Sequence, residues 1–294
     1  MAEQKKNNIP MQSVEVGRKT VWHLQKMKDE GKKISMVETA YLDPMFTMMC
    51  EKGGVDLVRY TCPGENSAMR AQNIKWWTRM QRRMAPNICL NAVMQTQQYA
   101  DPVTAVKEAA EILADGADSV MPMGVTNDVL KAMSDNHIAV IGHVGVLSGW
   151  QTARFGGYRR VGKTAEDAMK IFRQAYEYQE LGMCGMTIEM TNKEVSTAIA
   201  KKLRVPVIQV AAGGECDGAE MVIFDLLGMM PPEMMAGHAK VYANVLTDVI
   251  KGCATYNHEV KESIYPGPEV GWNMDEAELD KFMNELESKY DSVK

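Results

Sequence analysis

The chain is poor in aromatic side chains, at 7%, and it has no paired cysteines, no long apolar run and no excess of positive charge. Each shortage removes a class of protein. The six cysteines, Cys50, Cys62, Cys89, Cys184, Cys216 and Cys253, stand singly with no C-x-x-C pair. That spacing argues against a disulfide framework or a structural zinc site, and it suits a reducing compartment. With 33 basic against 38 acidic residues the net charge is -5, which gives nucleic-acid binding no electrostatic support. No run approaches the roughly 20 apolar residues that a membrane span needs. The opening MAEQKKNNIPMQSVEV is polar and lacks the apolar stretch of a secretory leader. A soluble cytoplasmic protein is expected, with no nucleic-acid or membrane partner, acting on a small molecule.

What the chain has in quantity is methionine, 25 residues in 294. Met is flexible and fills irregular gaps, so most of these residues read as core packing. From about residue 34, short apolar runs alternate with longer amphipathic ones. The strand candidates are KISMVETA, VDLVRY, NICLNAV, DSVMPM, IAVIGHV, GMTIEM, VPVIQVAAG and, more weakly, AEMVIFD. Helices are expected between them, for example over 101–117, where Asp101 and Pro102 give start chemistry and Gly116 a stop. Eight strands, each followed by a helix, are the count of a (β/α)8 TIM barrel. A single domain over 1–294 is expected. A helix at about 15–31 would cap the barrel bottom, and a tail helix at about 274–291 would dock its Leu279, Phe282, Met283, Leu286 and Tyr290 stripe on the barrel or a neighbouring subunit.

In such a barrel the chemistry sits at the C-terminal ends of the strands. Those ends carry Glu38, Arg59, Tyr60, Cys62, Asn91, Met121, Met123, His143 and Glu189. A carboxylate buried at a barrel mouth can have its pKa raised until it exchanges protons near neutrality, which makes Glu189 and Glu38 the acid/base candidates. For Glu189 a structural ion pair is an equal alternative. Arg59 either pairs with a carboxylate such as Glu38 or grips an anionic substrate. His143, flanked by apolar residues, reads on its own as a hydrogen-bonded core histidine. Cys62 is a lone thiol with no mechanism attached. The GGECDG stretch lacks the spacing of a phosphate loop.

The segment IGHVGVLSGWQTARFGGYRRVGKT resembles the G-H-x-G and G-G-Y-x-x-Q-G region of the ketopantoate hydroxymethyltransferase family. The likeness continues through TIEM, VPVIQVAAGGECDG and IYPGP and covers nearly the whole chain. It implies a TIM barrel of the phosphoenolpyruvate/pyruvate type, often assembled into pentameric or decameric rings, so a homo-oligomer is expected. It also implies a divalent metal, usually Mg²⁺, that chelates a 2-oxo acid, a glutamate that abstracts the β proton, and 5,10-methylenetetrahydrofolate as the one-carbon co-substrate. The family glutamate falls on Glu189 and the histidine on His143.

The departures gather at one place. Where the family pattern has two metal-binding aspartates, this chain has Thr61 and Val93; where it has a lysine and a metal-associated glutamate, it has Met121 and Met123. Thioethers are poor ligands for Mg²⁺, so loss of the inherited metal site is expected. The expected activity is a hydroxymethyltransferase-like enolate reaction on a small 2-oxo acid, forming or cleaving a C–C bond without metal. Arg59 would supply the positive charge, helped by Tyr60 and Asn91. The alternative is a non-catalytic ligand-binding or assembly-forming relative.

Overall fold

A computed structural model describes residues 17–95, 98–147, 152–153, 156–234, 237 and 239–290. The chain divides into two compact units, 1–243 and 244–294.

The first unit is an eight-stranded parallel barrel. Its strands are β1 (Ile34–Ala40), β2 (Leu57–Tyr60), β3 (Cys89–Met94), β4 (Ser119–Pro122), β5 (Ile141–Gly145), β6 (Gly185–Glu189), β7 (Val207–Val210) and β8 (Gly218–Val222). They run in the order β4-β3-β2-β1-β8-β7-β6-β5. Closure between β4 and β5 is thin: a single bridge joins Val120 to Val140, and Val120 N donates to Ala139 O at 3.0 Å. The helices are α1 (Val21–Asp29), α2 (Met45–Lys52), α3 (Ser67–Met84), α4 (Pro102–Ala114), α5 (Asn127–Asp135), α6 (Ala165–Glu180), α7 (Lys193–Lys202) and the short α8 (Ile223–Leu226). The expected start signal at Asp101 is realised, its side chain accepting from Thr104 N at 2.9 Å with Pro102 in the first turn. One expectation is corrected. No helix stands between β7 and β8, because only seven residues of the glycine-rich 211–217 loop separate them.

Successive side chains of a strand face opposite sides, and here the two sides have different jobs. Outward residues such as Val58, Tyr60, Leu90, Ala92, Val120, Val144 and Ile188 join the core between barrel and helices. Inward residues stack in layers up the barrel axis. The lowest is apolar: Met36, Leu57, Cys89, Ile141 and Ile208 pack with Leu24 of α1, which places α1 against the barrel bottom. The middle layer is polar, with Arg59, Asn91, Ser119, Thr187 and Glu220, and the top layer opens on solvent.

The second unit comprises α9 (Val245–Lys261) and α10 (Glu276–Lys289), neither of which contains a buried residue. The stripe on α10 is exposed, from 39% at Leu286 to 68% at Tyr290. No helix among the described residues is long and apolar enough to cross a membrane.

Candidate active site

The middle layer fixes the floor of the site. Register aligns Glu38 with Arg59, Arg59 with Asn91, and Asn91 with Ser119 across β1 to β4. Arg59, 2% exposed, reaches across the barrel interior and uses all of its guanidinium. Its Nε donates to Asn91 Oδ1 at 2.9 Å, its Nη1 to both oxygens of Glu220 at 2.7 and 3.0 Å, and its Nη2 to Thr187 Oγ1 at 2.7 Å. Asn91 Nδ2 in turn donates to Ser119 Oγ at 2.9 Å. Buried charges need this degree of pairing, because an uncompensated one costs several kcal/mol, on the order of 3–5. Of the two roles open to Arg59 in the sequence, the structure shows pairing, and the partner is Glu220 rather than Glu38.

Above that floor lies a cavity of about 430 Å³ whose walls include Glu38, Arg59, Met121, Met123, His143 and Glu189. Three other expected residues are not among them. Tyr60 points outward; its hydroxyl donates to Thr78 Oγ1 of α3 at 2.8 Å, and burial raises its pKa. Cys62 also points outward, its Sγ donating to Arg70 O at 2.9 Å, with the thiol pushed up to about 12 by burial. Asn91 is one layer too low and serves Arg59. The reason is strand parity: with Arg59 facing in, Tyr60 and Cys62 face out and Thr61 returns to the cavity.

The cavity gathers three carboxyl groups, one of which, Glu220, is paired with Arg59. Glu38 is pushed up to about 7, first by burial, then by the negative charge of Glu220, with Arg59 opposing. Glu220 is raised by burial as well, again against the pull of Arg59. His143 Nε2 lies 2.9 Å from Val146 O and 3.2 Å from Glu189 Oε2. Both neighbours are acceptors when Glu189 is ionised, so Nε2 carries the proton. Nδ1 is buried and has no hydrogen-bond partner among the described residues. Gly145 makes this approach feasible: at φ +93° it passes so close to the Glu189 backbone carbonyl that a Cβ would collide with it. Ala40, Met190 and Ala211, at the ends of β1, β6 and β7, hold φ of 52°, 52° and 49°. A non-glycine residue in that region costs about 1–3 kcal/mol, and such residues cluster where a site dictates the backbone.

A model of the ketopantoate hydroxymethyltransferase family matches residues 18–268. The chain belongs to the ketopantoate hydroxymethyltransferase family. Membership makes it an enzyme of the transferase or lyase type. Curated relatives include the 3-methyl-2-oxobutanoate hydroxymethyltransferase of Hyperthermus butylicus, 31% identical over 276 residues, covering 89% of this chain and 93% of that one. The 3-methyl-2-oxobutanoate hydroxymethyltransferase 1 of Methylibium petroleiphilum is 30% identical and covers 92% of this chain and 95% of its own. Among solved structures, 2,3-dimethylmalate lyase superposes with a TM-score of 0.53 at 11% identity, covering 92% of this chain and 94% of that one. Oxaloacetate acetylhydrolase with its product oxalate gives 0.51 at 10% identity, covering 92% and 95%. At such identities the superpositions speak for the barrel alone.

The family resemblance implies a divalent metal, and the residues at the ligand positions do not fit one. Val93, Met121 and Met123 form a small apolar cluster with Leu147, leaving Thr61 as the sole oxygen donor of the set. Mg²⁺ needs about six oxygen ligands, which an isopropyl group and two thioethers do not provide. No group of three or more His, Cys, Asp or Glu side chains among the described residues is arranged to hold a metal.

Among the wall residues that escaped the sequence reading, two carry charge. Glu220 sits inside the weakest strand candidate, and a search of strand ends passes over it. Arg70 comes from the first turns of α3 rather than from a strand.

Proposed function

We propose that this chain catalyses enolate chemistry on a small 2-oxo acid without a metal at the inherited position, as hydroxymethyl transfer or a related aldol or retro-aldol step. The observation that carries the reading is the pair of carboxyls in one cavity with unlike surroundings. Glu189 Oε2 lies 3.2 Å from His143 Nε2, and Glu38 is raised to about 7. A carboxyl whose pKa is raised toward neutrality can serve as the acid, and the second carboxyl of the same cavity can serve as the base.

Glu189 as carboxylate takes the proton from the carbon next to the carbonyl, so the C–H bond breaks toward its oxygen. The electron pair moves into the enolate. Glu38, protonated below about pH 7, donates a hydrogen bond to the oxygen where charge develops, the work that a metal performs elsewhere. His143, its Nε2 hydrogen-bonded to Val146 O and 3.2 Å from Glu189 Oε2, limits where the Glu189 carboxylate can sit. The resulting carbon nucleophile adds to a one-carbon donor, for which 5,10-methylenetetrahydrofolate is the family precedent. Val93, Met121 and Met123, backed by Leu147, supply an apolar wall suited to a substrate with a larger or less polar side chain than 3-methyl-2-oxobutanoate.

Incubating the protein in D2O with a panel of 2-oxo acids, 3-methyl-2-oxobutanoate among them, and following loss of the C3 proton signal by NMR tests the reading. Exchange of at least one acid is expected. No exchange across the panel, with acids still binding, would place the chain among ligand-binding relatives instead.

A further inference from the structure

The proposed substrate carries a carboxylate into a cavity that already holds Glu38, Glu189 and Glu220. An anion entering such a place needs a cation with donors to spare. Arg59 does not qualify, because the Glu220 carboxylate neutralises its charge and its bonds to Asn91, Glu220 and Thr187 leave one N–H, on Nη2, too few for a bidentate grip.

The cavity has a second arginine in its wall, Arg70. Among the described residues its side chain makes one hydrogen bond, from Nε to Gly64 O at 3.0 Å, and pairs with no carboxylate. The guanidinium is thus anchored at one nitrogen while both terminal amino groups keep their donors, the arrangement that a bidentate grip on a carboxylate requires. Its position is set by local sequence. Asn66 caps α3 by accepting from Met69 N at 3.0 Å, which starts the helix where Arg70 falls in its first turns. Gly64 then lets the arginine stem pass close to the β2–α3 loop: a Cβ there would stand 2.8 Å from Arg70 Cγ and 2.9 Å from Arg70 N.

We infer that Arg70 is the residue that receives the substrate carboxylate, held in place by Gly64, while Arg59 is confined to the barrel floor. This assignment rests on the reading of the cavity as a 2-oxo acid site. It makes the β2–α3 connection the element that confers selectivity for an acid over its uncharged analogues.

The test compares a bound 2-oxo acid from the exchange panel with its methyl ester, using isothermal titration for Kd and deuterium exchange for KM and kcat. In Arg70→Met, Kd and KM for the acid should rise roughly 10- to 100-fold, the range for losing a charged hydrogen-bonded pair. The ester should change by less than about twofold in the same measurements. Arg70→Lys should recover part of the loss. Gly64→Ala, which keeps every charge and displaces only the stem, should move acid affinity in the same direction. Thermal melts of all three variants establish that they are folded. An unchanged acid-to-ester ratio in folded Arg70→Met overturns the assignment. Acid binding by the wild type without proton exchange would refute the enolate chemistry, and the Kd series would still decide the role of Arg70. If the wild type binds no 2-oxo acid, both fail.

Discussion

Replacing Glu220 by Gln removes one negative charge from the barrel floor and leaves Arg59 buried with hydrogen bonds but no counterion. The pair meets at 2.7 Å with side chains 3% and 1% exposed, so water cannot take over the lost role. Breaking a buried pair costs about 3–5 kcal/mol, and the retained amide oxygen argues for the lower end. For a unit of this size each kcal/mol moves the melting temperature by about 2–4 °C, so a fall of roughly 6–12 °C is expected. A second effect is chemical. The charge of Glu220 is one of the causes that hold Glu38 near 7; with it gone, the freed guanidinium pulls the Glu38 pKa down. If Glu38 must be protonated to support the enolate, the wild-type exchange rate declines as pH rises through about 7, and in Glu220→Gln the decline begins at lower pH. A melt by circular dichroism and a pH series of exchange rates measure both. A melting temperature within about 2 °C of wild type, or a pH limb that does not move, would refute the account of the floor.

Three other perturbations separate structural from chemical roles. Tyr60→Phe should lower stability by about 1 kcal/mol through the lost bond to Thr78 and leave exchange kinetics within about twofold, because the phenol faces α3; a tenfold loss of kcat would mean the hydroxyl acts in the cavity. Glu38 binds its proton more tightly folded, near 7, than at the usual value of 4.5, so its contribution to stability falls as pH rises between those values and is flat above, by on the order of 3 kcal/mol. Glu38→Gln should flatten that fall, and an unchanged stability profile by urea titration would contradict the raised pKa. Adding EDTA or millimolar Mg²⁺ should leave melting temperature and exchange rate unaltered; a Mg²⁺-dependent rise in either would show that oxygen ligands assemble despite Val93, Met121 and Met123.

Much of the barrel was legible because parallel strands buried on both faces read as short apolar runs bounded by helix starts and stops. The eighth, AEMVIFD, read weakly for the same reason that it matters: Glu220 breaks its apolar pattern in order to meet Arg59. Two features were hidden. The β7–β8 connection contains no helix, and α9, over 245–261, has no buried face to impose an apolar stripe. Within the site, Glu38, Arg59, Met121, Met123, His143 and Glu189 were readable as strand-end residues that share the inward parity. Tyr60 and Cys62 have the opposite parity and face the helices, and Asn91 joins the layer below because height along the strand decides which layer a residue enters. Arg70 had no sequence signal of its own; its place depends on a glycine and a helix cap that act only once the loop is folded.

The most direct measurement is C3 proton exchange of the best 2-oxo acid in D2O by EDTA-treated wild type and Glu189→Gln, recorded by NMR under identical conditions. The account predicts exchange by the metal-free wild type and a loss of at least about 100-fold in the variant, the contribution expected of a positioned general base. Exchange that vanishes with EDTA, or that survives in Glu189→Gln, would contradict it.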